Sequence, residues 1–466
     1  MENPGAELNA FSQACKLHSR YNPQAEAARY IDSLKIKENV KYFILIEPGL
    51  GYIVPVLREK YADCVILVLH IDDFPAMENI PCIKSAQSNQ IQEFLETHAG
   101  CANADNTQII EWRASLNYYK EAYIKLLSQA VDFIKRKDAG SRTTAAFGKR
   151  WFKNFFYNLG ILNNPLLYRQ SDLPVIITGS GPGLEKTLPL IKEAQKYCII
   201  IAASSSAFAL SKNGITADII IATDGGNWAL HHMYSCKRTQ KTPESKTALA
   251  VSLCAALPSQ SEDSSFLILN DGSFWQSVIL HELSLPSIIV PQRGTVTATA
   301  VDLALVLSSS NIYLAGMDFS VNDIRTHVKP YSFDNLFFGR GSRFTPVYSQ
   351  CFFRSTMMRK GGSMDIYASW FKTQMESWPK RIFNAESAAM QQIKNDNKKE
   401  KKDDYFKVCT ADFGSLKNKG INALLNALKN SEYAKDIKNE LDSLLFSGKN
   451  SINSHKLESA IKELIF

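Results

Sequence analysis

The chain has no Cys-x-x-Cys pair, no apolar run of bilayer length and no Gly-Lys-Ser/Thr step after its glycine-rich turn. The first absence argues against zinc ribbons and disulfide frameworks. The nine cysteines are scattered, and Cys64, Cys198 and Cys254 sit in apolar runs, so they read as reduced core thiols. The second removes a membrane-spanning helix, since the longest apolar runs, near residues 65–69 and 199–203, are strand length. Residues 1–20 also lack the basic, apolar, small-residue order of a secretion signal, and a cytoplasmic protein is expected. The third removes a P-loop kinase. Concentrated charge is lacking too: the formal net charge is +7, but basic residues are dispersed, and the clearest run, KNDNKKEKKDD at 394–404, alternates lysine with acid as a solvated linker would. Such a balance suits an anionic small substrate as well as a nucleic acid, and does not choose between them.

What is present is an ordinary globular composition, with 45% hydrophobic and 21% charged residues over 466 positions, enough for two to four domains. The segment HSRYNPQAEAARYIDSL reads as a helix that Pro23 can open. It is followed by KYFILIEPGLGYIVPVLREKYADCVILVLHIDD, a strand, glycine turn, helix and strand with Gly49 and Gly51 at the turn and Asp72 or Asp73 beyond. Methyltransferases and dinucleotide-binding domains use such an arrangement. Two glycines and Pro55 in the helix favour a Rossmann-like structural domain without ligand. Between Trp112 and Arg136, Leu116, Tyr119, Tyr123, Leu126, Ala130 and Phe133 recur three and four apart, which predicts one buried helical face. The next stretch interleaves Lys and Arg with Trp151, Phe152, Phe155, Phe156 and Tyr157; helical spacing places most of these rings in a core rather than against bases.

The most informative stretch is LPVIITGSGPGL at 173–184, leading into EKTLPLIKEAQKY. It reads as strand, phosphate-cradling turn and helix, because Gly179, Gly181 and Gly183 permit a tight turn with bare N–H groups beside a helix N-terminus. Apolar strands then recur with helical segments between them, as in a parallel sheet covered on both faces, and polar residues collect at the strand ends. These are Ser204, Ser205 and Ser206; Thr223, Asp224 and Gly225; Asn270 and Asp271; and Gly316, Met317 and Asp318. Each alone could be a helix cap; their repetition around a glycine turn favours a ligand crevice. The expected fold is α/β. A smaller Rossmann-like domain with a helical extension takes residues 1–169, a central Rossmann-type, mainly parallel sheet domain takes 170–384, and a charged linker with a helical region takes 385–466. The helical tail either covers the sheet, the default, or recognises a protein acceptor.

Several motifs in order carry a resemblance: YNPQAEAARYI, EPGLGY, GSGPGLEKTLPLI, ASSSAFALSKNGITADIIIATDGG, and RGTVTATAVDLALVLSSSNIYLAGMDFS with His327 just beyond. The chain resembles the motility accessory factors, flagellin glycosyltransferases of bacteria, over roughly residues 20–335. The central portion is similar to bacterial sialyltransferases that use CMP-sugars, and also to a pterin pyrophosphokinase-like domain. Two departures stand out: Gly183 occupies a position where a serine is common, and serines replace the usual glycine in LVLSSSNIYLAG.

The resemblance implies transfer of a nonulosonic acid, of pseudaminic or legionaminic type, from a CMP-sugar to Ser or Thr of flagellin with inversion. It implies a nucleotide-sugar site at Gly179, Ser180, Gly181, Pro182, Gly183, Ser204, Ser205, Gly294, Thr295, Val296 and Thr297. Arg293, Arg325 and Lys329 are the candidates for the sugar carboxylate, a guanidinium fork suiting that group. His327 is the preferred proton acceptor, with Asp224 and Asp318 as alternatives, and His231 and His232 could touch donor or acceptor. The expected partners are flagellin and the activated sugar, with no nucleic acid, no membrane span and no required cofactor. Divalent metal stays open, Asp218, Asp224 and Asp318 being possible ligands in a phosphoryl-transfer reading. Two other functions compete: an S-adenosylmethionine-dependent methyltransferase built on Gly49, Gly51 and Asp72, and a non-catalytic flagellin-binding assembly factor.

Overall fold

A computed structural model describes residues 16–72, 77, 79–84, 88–100, 102–239, 247–291, 293–360, 363–385, 393, 406–409, 415–446 and 454–465. Asp73 and the charged run at 394–404 lie outside the described residues. The protein is mixed α/β with mainly parallel sheets and a helical C-terminal region. It divides into two compact units, Met1–Thr144 and Ala145–Phe466, and the helix Glu121–Ile161 contributes its first part to one and its last part to the other.

The first unit holds a four-stranded parallel sheet of β1 (Tyr42–Ile46), β2 (Val65–His70), β3 (Cys82–Lys84) and β4 (Thr107–Glu111), in the order β3-β2-β1-β4. Strand alternation fills its two faces. Phe43 and Leu45 point to a core shared with the helices Pro23–Ser33 and Ile53–Lys60, while Ile44 and Ile46 meet Tyr123, Leu126, Ala130 and Phe133 on the other side. The predicted helical face is therefore a core face, although the helix restarts after Lys120, whose φ is 43°.

The second unit is built on ten strands: β5 (Asn164–Tyr168), β6 (Val175–Thr178), β7 (Ile199–Ala203), β8 (Ile219–Ala222), β9 (Ala248–Ser252), β10 (Ser265–Asn270), β11 (Ser287–Ile289), β12 (Ile312–Ala315), β13 (Ile382–Asn384) and β14 (Phe406–Val408). Their order is β13-β12-β6-β7-β8-β9-β10-β5-β14, with β11 beside β10, and every pairing is parallel except that of β14 with β5. From β6 to β10 the chain steps steadily one way. The helix Val296–Leu307 then carries it back across one face to place β12 on the far side of β6. The carboxyl ends of β6 and β12 thus form the topological switch point, where open parallel sheets bind ligands.

Both faces are buried, so the strands read as continuous apolar runs. One face packs on the helix Val296–Leu307 and Trp378; the other packs on Phe152, Phe155, Phe156 and Trp275. Of the basic-aromatic stretch, Phe152, Phe155 and Phe156 are thereby core and Trp151 is partly buried, whereas Tyr157 is exposed. The helices Leu416–Asn430, Ala434–Phe446 and Ser454–Ile465 join this second core through Leu424, Ile437, Leu441 and Ile461. The tail covers the sheet, and a Cβ at Gly420 would stand 2.8 Å from Leu159 Cδ1. Leu424→Ala should therefore destabilise the sheet unit by about 2–5 kcal/mol, the cost of a cavity at a fully buried leucine, measurable as a lower denaturation midpoint. Deleting the tail to test acceptor binding would strip the core as well.

Candidate functional site

Three segments far apart in sequence converge at the switch point. The turn after β6, the chain leaving β12 and the start of the helix Val296–Leu307 touch one another so closely that side chains are excluded. A Cβ at Gly179 would lie 2.5 Å from the Gly316 carbonyl oxygen and 3.2 Å from Thr297 Cγ2. Gly316 itself has φ 66° and would place its Cβ 2.7 Å from the Gly179 oxygen, so glycine is required on both sides. The Gly179 amide donates to Ala315 O at 2.8 Å and the Gly181 amide to Gly316 O at 2.9 Å, which zips the turn onto β12.

The glycine turn is less open than its sequence suggests. The Gly183 amide donates to Asp318 Oδ2 at 2.5 Å, and Cβ atoms at Gly181 and Gly183 would fall 2.3 and 2.4 Å from the two Asp318 carboxylate oxygens. The carboxylate occupies one anion position of the cradle. This explains the departure at Gly183, since a serine Cβ there would displace Asp318. Pro182 is buried at the start of the helix Leu184–Ala194, while Ser180 accepts at its carbonyl from the Val328 amide at 2.9 Å. At the neighbouring helix start, Gly294 has φ 76°, the Thr295 side chain caps Ala298 N at 3.2 Å, and Val296 and Thr297 form the first turn. That turn leaves amides without intrahelical partners, the remaining anion position.

The serines after β7 divide in role. Ser204 and Ser205 open the helix Ser204–Lys212, Ser204 buried and Ser205 partly so, whereas Ser206 bonds Thr178 Oγ1 and Thr178 O, both at 2.9 Å, and ties β7 to β6. Asp224 is exposed and its Oδ1 accepts from the Gly226 amide at 2.7 Å in the turn after β8. Asp218 stands at the opposite edge, accepting from Ile200 N at 2.7 Å at the amino end of β7, away from the crevice. Among the described residues there is no group of three or more His, Cys, Asp or Glu arranged to hold a metal ion.

His327 stacks on Tyr331 with ring centroids 4.2 Å apart and planes 13° apart, and its Nδ1 meets Thr326 Oγ1 at 2.9 Å. Loss of solvation lowers its pKa to about 4, and the neighbouring His232 and the cations Lys329 and Arg354 add to this. His232, whose Nδ1 lies 2.5 Å from Ser332 Oγ, is likewise lowered to about 4 by burial, against the pull of Asp224. Both imidazoles are neutral at pH 7. His231 is exposed and stacks on Trp228. A cleft of about 660 Å³ opens next to this ring cluster, with Phe208, Lys212, Tyr234, Tyr331, Asp334 and Phe338 among its walls.

The three cations expected at the sugar carboxylate all have partners within the chain. Arg293 pairs with Asp302 at 2.6 Å, Arg325 with Glu185 at 2.8 Å, and Lys329 with Asp334. Sequence reasoning missed Arg354, which bears on His327, lies 3.7 Å over the Phe337 ring and has no carboxylate partner among the described residues. It also missed Tyr331. The spacing His327–Tyr331 was a usable signal; Arg354 lies too far along the chain to offer one.

In the first unit the other glycine turn is filled by its own chain. Gly49 and Gly51 have φ 60° and 73°; a Cβ on Gly49 would meet His18 Nε2 at 2.5 Å, and one on Gly51 would meet Met77 Cε at 2.3 Å. His18 Nε2 accepts from the Leu50 amide at 3.0 Å. Buried Glu47 accepts from the amides of Ile71 and Asp72 and contacts His70 Nδ1 at 3.1 Å. Burial opposes charge on His70, yet hydrogen bonds to Cys82 and Glu47 raise its pKa to about 9. Asp72 Oδ2 accepts from Tyr119 Oη at 2.9 Å. The Leu50 amide in the turn and one carboxylate oxygen of Asp72 are thus bonded within the chain.

Comparison with known proteins places the central segment most clearly. The family described as 6-hydroxymethylpterin diphosphokinase MptE-like matches residues 149–323. An uncharacterized protein of Treponema pallidum (strain Nichols) is 25% identical over 285 residues, 61% of this chain and 61% of that protein. The solved structure of a MAf glycosyltransferase from Magnetospirillum magneticum AMB-1 aligns with TM-score 0.42 and 17% identity, covering 69% of this chain and 57% of that one. The chain thus spans about three-fifths of the length of these relatives, and it is over residues 149–323, which hold strands β5 to β12 and the glycine turn, that it is similar to the MptE-like family.

Proposed function

We propose that the chain is a protein O-glycosyltransferase of the motility accessory factor type, transferring a nonulosonic acid from a CMP-sugar to a serine or threonine of flagellin. The observation that carries this reading is the convergence of Gly179–Gly183, Gly294–Thr297 and the His327 segment at one crevice. The motif run from 173 to 327 that resembles these transferases supplies all three. The donor phosphate is held by the first turn of the helix Val296–Leu307 and by the Ser180 side of the glycine turn, because Asp318 claims Gly183. Arg354 faces the sugar carboxylate.

In the reaction the acceptor hydroxyl oxygen bonds to the anomeric carbon as the bond from that carbon to the phosphate oxygen breaks. CMP leaves with the bonding pair. The hydroxyl proton passes to His327 Nε2, its Nδ1 being engaged by Thr326. A neutral imidazole has the lone pair this needs, though a pKa near 4 makes it a weak base. The anionic donor offsets Lys329 and Arg354 and raises that basicity when bound.

Phosphoryl transfer, suggested by the name of the matching family, finds one carboxylate at the glycine turn, Asp318, with Asp218 at the far end of the strands. Methyl transfer finds Gly49, Leu50 and Asp72 already engaged. Calorimetric titration with CMP and, separately, S-adenosylmethionine discriminates these readings: CMP should bind and S-adenosylmethionine should not. Binding of S-adenosylmethionine alone would favour the methyltransferase, and binding of neither would favour an assembly factor.

A further inference from the structure

The stretch from Phe338 to Lys360 turns its apolar side chains outward. Phe344 is 93% exposed, Tyr348 and Phe353 65%, Met357 54% and Phe352 53%, while Ser355 is buried and Arg354 half-buried on the inner side of the helix Val347–Lys360. A helix that merely covered a core would be arranged the other way. The same 23 residues contain five cations, Arg340, Arg343, Arg354, Arg359 and Lys360, and no Asp or Glu. None of the five makes an ion pair with another described residue. Exposed aromatics, methionine and arginine together form the composition of a recognition surface.

We propose that this face docks a polypeptide whose contacting segment combines carboxylates with apolar side chains, and that, on the transferase reading above, it presents the acceptor to the crevice. Charge complementarity selects the partner's sign. With Arg354 turned inward, a second copy presenting the same face would set the four exposed cations Arg340, Arg343, Arg359 and Lys360 against four. Three of these four exposed cations are arginines, whose planar forks pair with carboxylates two bonds at a time, whereas attraction to a lipid surface needs only point charge. The surface is also continuous with the candidate site. Phe338 lines the cleft and begins the stretch, Phe337 lies under Arg354, and Arg354 contributes to the field at His327.

The test is fluorescence anisotropy on the full chain with a labelled peptide of alternating Asp or Glu and Leu around one serine, beside the same peptide with Lys for each acid. The doubly substituted variants Phe352→Ser/Phe353→Ser and Arg340→Glu/Arg343→Glu, all at exposed positions, should each weaken binding of the acidic peptide by roughly tenfold or more. CMP affinity, measured on the same samples, should stay unchanged, and the Lys peptide should bind poorly. Equal binding by the variants, no preference for the acidic peptide, or tighter binding of phosphatidylglycerol vesicles or an oligothymidine strand would overturn the proposal. Should the peptide behave as expected while CMP fails to bind the unsubstituted chain, the transferase reading falls and the docking surface stands.

Discussion

Replacement of His327 by alanine is expected to slow transfer by about 10²–10⁴-fold, the range a positioned general base contributes, with CMP affinity changed by less than about twofold. His327 is stacked on Tyr331, so alanine also opens a gap. His327→Gln, which keeps bulk and polarity but cannot take the proton, separates the two effects: it should keep the melting temperature near that of the parent and lose the rate. The pH profile provides a second readout. Because the free imidazole has its pKa lowered to about 4 by burial, kcat/KM, which reports the free enzyme, should hold level through neutrality and fall only as pH drops toward that value. A fall centred near 6.5 would mean a solvated histidine instead. Stability follows the same groups: between about pH 6.5 and 4 the unfolded chain binds protons at His232 and His327 that the folded chain refuses, so stability declines as pH falls through that window.

Gly181→Val should remove CMP binding and should also destabilise the sheet unit by about 2–4 kcal/mol, roughly 5–10 °C in melting temperature. The reason is the zip between β6 and β12. A Cβ at this position meets Asp318 Oδ2 at 2.3 Å, which can swing away, and the Gly316 carbonyl oxygen at 2.8 Å, which cannot without moving β12. The contact with Gly316 adds this structural cost to the loss of ligand. Gly183→Ser is the informative companion, because the three atoms nearest its Cβ all belong to the Asp318 carboxylate. It should leave the melting temperature within a few degrees while freeing the Gly183 amide from Asp318, and CMP affinity should then shift without loss of fold.

The parallel sheet and its ligand end were legible because their signals are local. Continuous apolar strands, glycines after β6 and serines and aspartates after β7, β8 and β12 are read within a few residues of each strand. The helical tail was legible as a cover for the sheet through the periodicity that puts Leu424 and Leu441 inside. What escaped were contacts between distant positions. Asp318 and Gly183 are 135 residues apart, and Arg325 and Glu185 are 140. Nothing in the motif says that the cradle holds an internal carboxylate or that the expected carboxylate clamps are already paired. The histidines were found as residue types, but their lowered pKa depends on burial that no short window encodes. The helix Val347–Lys360 misleads in the opposite direction, since its rings face solvent and periodicity reads rings as core.

The most direct test of the central claim is the intact mass of flagellin incubated with a CMP-activated nonulosonic acid and the full chain. A nine-carbon-sugar increment on serine or threonine, absent with His327→Gln, is the predicted result. Flagellin of unchanged mass, with the donor intact and the protein folded, would contradict it.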